Sequence, residues 1–136
     1  MKNILRVLDI ALPFVEKLLT EYSEFYPFAY SLKSNDEITS INTWDGNDYP
    51  LSNDVILELK KGIKEYINEY KLIAIFYDVK AFSPYNNKKT DAIVIEIEEK
   101  GTENSFYFFY PYILSENKEI IYSKSWRNDK EKELFV

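Results

Sequence analysis

The chain has 136 residues, the length of one domain, and its 46% hydrophobic and 17% aromatic content supports a buried core rather than a disordered tail. Seventeen basic residues against twenty-three acidic ones leave a net charge of −6, the wrong sign for a general phosphate binder. There is no Cys and no His, which removes disulfides, thiol nucleophiles, ordinary zinc or haem sites, Ser-His-Asp triads and imidazole acid–base chemistry together.

The first nineteen residues are not expected to form a signal peptide or a span. Arg6, Asp9, Glu16 and Lys17 interrupt them, and no window of about 18 uncharged apolar residues occurs. The expected location is the cytoplasm. Arginine appears only as Arg6 and Arg127 among many Lys, Asn, Ile and Tyr, a skew that reads as the codon bias of an AT-rich genome.

Residues 3–25 predict an amphipathic helix, with Leu8, Ala11, Val15, Leu18 and Tyr22 on one face and Arg6, Asp9, Glu16, Thr20 and Glu24 on the other. Pro13 falls on the polar face and is expected to kink it, at about 3 kcal/mol. Two short strands, 28–32 and 38–42, flank a polar hairpin loop at 33–37. Asp45-Gly46-Asn47-Asp48 with Pro50 is the strongest turn cluster. Its oxygens resemble the start of a calcium loop, but position twelve is Ile56, and turn chemistry explains the cluster as well.

Ser52 or Asn53 caps a second helix running to about Tyr70, with an apolar stripe of Ile56, Leu59, Ile63, Tyr66, Ile67 and Tyr70. Lys60, Lys61, Lys64 and Asn68 point outward in this reading, and Gly62 implies close packing against a neighbour. The remainder is strand-like. Residues 72–82 are β-branched and aromatic, 83–90 form a loop, and 91–99 alternate, with Ile93, Ile95 and Ile97 opposite Val94, Glu96 and Glu98. Phe106 to Leu114 is a further strand, and 120–126 offers one more at the edge. Residues 127–133 are expected to fray, with 134–136 free to dock.

The expectation is therefore one α+β domain over 1–136, an antiparallel meander sheet with two helices packed on it. Its order is α-β-β-α-β-β-β, with room for an extra edge strand. That order resembles the profilin- and roadblock-type arrangement, which by itself implies no activity.

Without His or Cys, carboxylates must carry any catalysis. Asp78, Asp91, Glu96 and Glu98 sit on adjacent strands, and Asp91 with Glu98-x-Lys100 superficially matches the acidic core of a metal-dependent nuclease. The simpler reading is a solvated sheet face. The aromatic run 106–112 places Phe106, Phe108 and Tyr110 on one face and Tyr107 and Phe109 on the other. Burial on both sides explains it, or a partner or dimer surface built from Tyr107, Phe109 and Tyr112 at an edge strand. With three glycines in the chain, no phosphate-binding loop exists.

Phe25-Tyr26-Pro27-Phe28-Ala29, Ile75-Phe76-Tyr77-Asp78-Val79, Asp91-Ala92-Ile93 through Glu98, and Tyr110-Pro111-Tyr112 together resemble a family of small, mostly uncharacterised bacterial proteins with an F-Y-P-F-A … D-A-I … P-Y pattern. The resemblance implies no activity and no catalytic residue. The leading expectation is a non-enzymatic interaction domain without cofactor or metal. It would engage a protein partner, as an acidic immunity-type neutraliser of a basic protein would, or else a second copy, and not nucleic acid or membrane. The alternative is a carboxylate-based metal-dependent enzyme.

Overall fold

Helix α1 spans Lys2–Tyr22 and buries Ile4, Val7, Leu8, Ala11, Val15 and Leu19, a stripe at steps of three and four. It runs through Pro13, whose ring sits on the exposed side, where the helix tolerates it without losing a core contact. Ser23 closes it in the left-handed conformation, φ 63°, donating its N–H to the Leu19 carbonyl at 2.8 Å. The structure, a computed structural model, describes residues 1–43 and 52–136. The turn cluster at 45–50 and its calcium reading lie outside the described residues.

Strands β1 (Phe28–Lys33) and β2 (Ile38–Ile41) form a hairpin, and helix α2 (Ser52–Glu65) follows. A single 3₁₀ turn at Ile67–Glu69 leads into β3 (Tyr70–Phe82), so the second helix stops short of its predicted end. Then come β4 (Lys89–Glu99), β5 (Ser105–Leu114), β6 (Ile120–Tyr122) and β7 (Trp126–Asp129). The order in the antiparallel sheet is β2-β1-β3-β4-β5-β6, with β7 also paired to β5. The predicted meander holds from β3 onward, while β3 pairs with β1 and leaves β2 at the edge.

The helices cover opposite faces. Under α1 lie Leu32, Leu72, Ala74, Phe76, Ile93, Ile95 and Ile97. Under α2 lie Ala29, Ile73 and Ile75, packed with Val55, Leu59, Ile63 and Leu134. The strand period of two thus sorts each strand's residues between two cores. Gly62 corrects its prediction, since a Cβ there would meet no atom within 4 Å. Residues 127–133 are not frayed either. Arg127 to Asp129 belong to β7, and the Lys130 side chain is 2% exposed.

Candidate functional site

Because Ser23 turns the chain away from the helix axis, α1 stops short of the far ends of β3, β4 and β5. The uncovered strand ends form a groove of about 530 Å³ between Ser23, Asp78, Lys80, Asp91, Tyr112 and Leu114. Sheet register builds its floor. Lys80, Asp91 and Tyr112 stand in one cross-strand row, and Asp78, Ile93 and Tyr110 in the next, all on the α1 side.

Within the groove Lys80 pairs with Asp91 at 3.0 Å. Tyr112 reaches across β4 and donates its hydroxyl to both Asp78 oxygens at 2.9 Å. Burial pushes the Asp78 carboxyl up to about 6; the Tyr112 hydroxyl and the Lys80 charge oppose this, and the charges of Asp91 and Glu24 add to it. Tyr112 is itself held well above the usual phenol range by burial and by Asp78, so it stays a donor.

The helix end above the groove adds negative potential. The last turn of α1 holds no basic residue, while Glu21 and Glu24 stand beside it and Glu16 lies one turn back, accepting the Tyr122 hydroxyl at 2.9 Å. Helix C-termini ordinarily gather cations that complement the dipole. Here carboxylates stand instead.

The four carboxylates read as one set do not share a site. Asp78 and Asp91 face α1, whereas Glu96 and Glu98 face α2. Those two glutamates are not solvated either, being 5% and 1% exposed. The C-terminal segment covers them and brings countercharge. Lys130 Nζ donates to Glu98 at 2.8 Å and lies 3.0 Å from Glu133. Glu98 also accepts the backbone N–H groups of Glu133, Leu134 and Phe135 at 3.0 to 3.3 Å. Tyr77 donates to Glu96 Oε2 at 2.7 Å, and Lys60, predicted to face outward, lies 3.0 Å from Glu96 Oε1. Burial opposes charge on Lys60 and Lys130, but the glutamates beside them outweigh it and raise both above the usual lysine value. Among the described residues no three Asp or Glu side chains converge as metal ligands. The nuclease-type Lys100 stands exposed in the turn after β4.

The aromatic strand is half-buried on both faces. Phe106 and Phe108 pack against the α1 core. Tyr107 and Phe109 are half-buried on the other face, where Phe109 stacks on Trp126 at 4.9 Å and Lys130 lies 5.8 Å from the Tyr107 ring. Tyr112 is on the α1 face and 4% exposed, so it shares no surface with Tyr107 and Phe109. β5 is no edge strand, since β4 flanks one side and β6 and β7 the other.

Sequence reasoning missed Lys130 as a buried cation, Lys60 as a half-buried one beside Glu96, and Tyr77 as a donor to Glu96. Glu96 and Glu98, flanked by apolar residues on β4, were the available signal that cations must follow them inside. No family model, no curated protein and no solved structure matches this chain.

Proposed function

We propose that this chain is a non-enzymatic binding domain that neutralises a basic protein partner, an immunity-type role in a bacterial cytoplasm, as its net charge of −6 and its lack of His and Cys suggest. One observation carries the reading. The last turn of α1 holds no basic residue, and Glu24, Asp78 and Asp91 lie around the open groove at its end, where Lys80 is paired with Asp91 and Lys89 stands on the rim. A basic surface docked there gains from the helix dipole and from those carboxylates at once, and a net charge of −6 steers it in. No helix among the described residues is long and apolar enough to cross a membrane, which suits a partner met in solution. The metal-dependent enzyme has less support, because its four carboxylates divide between two faces and two of them are already paired with lysines.

Affinity capture with the tagged chain, from lysate of its own organism at low and high salt, tests this reading. One dominant basic protein is expected, released by salt and lost on charge reversal by Glu21→Lys with Glu24→Lys. Recovery of the chain alone, or a partner indifferent to both salt and charge reversal, would overturn it.

A further inference from the structure

We propose that the groove takes one cationic side chain of the partner, an arginine or a lysine, and that Asp78 is the carboxylate that anchors it. The inference rests on the binding reading above and gives it a site. The chain's own cations are committed elsewhere or peripheral. Residues 44–51 contain no Lys or Arg, so every cation lies among the described residues, and none is within ion-pair distance of Asp78. Lys80 pairs at the exposed mouth with Asp91 and eases the Asp78 charge without reaching it, and Lys89 stands exposed on the rim.

Asp78 is a half-buried carboxylate whose hydrogen-bond partner is a neutral hydroxyl. Buried carboxylates elsewhere in the fold are treated differently, as Glu98 receives an ammonium and three backbone donors. A charge left out of water without a countercharge is costly, and a ligand that supplies one recovers that cost. The walls suit the rest of such a side chain. Leu114 offers apolar surface to a methylene stem, and Asp91 offers a second acceptor near the head group. At about 530 Å³ the groove has the size of an ordinary ligand site.

Asp78 feels burial first, then the Tyr112 hydroxyl, Asp91, Lys80 and Glu24, with its carboxyl raised to about 6. Cation binding is therefore linked to its ionisation, fully present above that value and lost as pH falls through it.

The test is an amide-resolved NMR titration of the whole chain at constant ionic strength with N-acetyl-L-arginine amide and N-acetyl-L-lysine amide. N-acetyl-L-norleucine amide serves as the uncharged control. Saturable shifts at Asp78, Thr90 and Tyr112 are expected with a cationic probe and not with the control. They should weaken about tenfold in Asp78→Asn, whose dispersed spectrum reports that it folds, and by a similar factor in the unmutated chain at about pH 5, roughly one unit below the Asp78 value. Shifts absent from the unmutated chain, unchanged by both Asp78→Asn and pH, or produced by Mg²⁺ or Ca²⁺ instead of the probes would overturn the proposal. Salt-sensitive partner capture that Asp78→Asn leaves intact would sink this site and spare the binding reading. Probe binding at Asp78 without any captured partner would do the reverse.

Discussion

Replacing Asp78 by Asn should make the isolated chain more stable at neutral pH, although it removes a hydrogen-bonded charged group. The folded chain holds the Asp78 proton up to about pH 6, whereas the unfolded chain releases it near the ordinary value of 3.8. Between those values the folded state binds more protons, so stability falls as pH rises through the window. The difference is at most about 3 kcal/mol once both states are ionised, and the solvent that reaches the half-buried carboxyl lowers it. Asn keeps an acceptor for the Tyr112 hydroxyl and carries no charge to desolvate, but its amide N–H groups need partners of their own. A gain of about 1–3 kcal/mol at about pH 7.5 is expected, shrinking to nothing near pH 4. Urea unfolding of both chains at several pH values reads it directly, as a midpoint change at constant slope. The refuting result is a loss of stability at neutral pH, or a gain that does not vary with pH. Either would mean that Tyr112 alone compensates the buried charge, and the argument for an incomplete site would fail with it.

Two further substitutions probe the rest of the fold. Lys130→Ala strands Glu98 under α2 and should cost about 3–5 kcal/mol by urea unfolding, and a cost below about 1 kcal/mol would mean that the C-terminal segment does not dock. Gly62→Ala adds a methyl into open space on an exposed helical turn and should stabilise by about 0.5–1 kcal/mol, seen as a rise of a few degrees in Tm; destabilisation would place a neighbour against it.

The elements were legible where local physics decides them. The apolar steps of α1, the hairpin chemistry of 33–37 and the alternation of 91–99 each specify their own conformation, and the fold adopts all three. The end of α2 was not legible, because Tyr66, Ile67 and Tyr70 continue a helical stripe, while the 3₁₀ turn there is set by the need to deliver Tyr70 into the sheet beside Lys33. Nor did the charged C-terminal run announce its burial. Lys130 resembles any solvated lysine until the fold sets it against Glu98, thirty-two residues earlier in the chain. The same holds for the groove. Asp78 and Tyr112 are thirty-four residues apart, and only the register of β3, β4 and β5 joins them. Local sequence says what a charge costs to bury; tertiary structure alone says which partner repays it.

The contrast between the two carboxylate groups on β3 and β4 is what separates structure from function in this chain. Glu96 and Glu98 are more deeply buried than Asp78, yet Lys60, Lys130, Tyr77 and the tail amides accommodate them. Such a network fixes where the C-terminal segment lies and leaves nothing for a ligand to add. Asp78 is the opposite case. It sits at the open end of the sheet, beneath a helix terminus already negative, and receives a single neutral donor. A carboxylate there does not improve the fold, since an uncharged side chain fits the same space at lower cost. Its presence makes sense if the missing countercharge arrives from outside, and the acidic surroundings that make Asp78 costly to the isolated chain are the ones that would draw a cation to it.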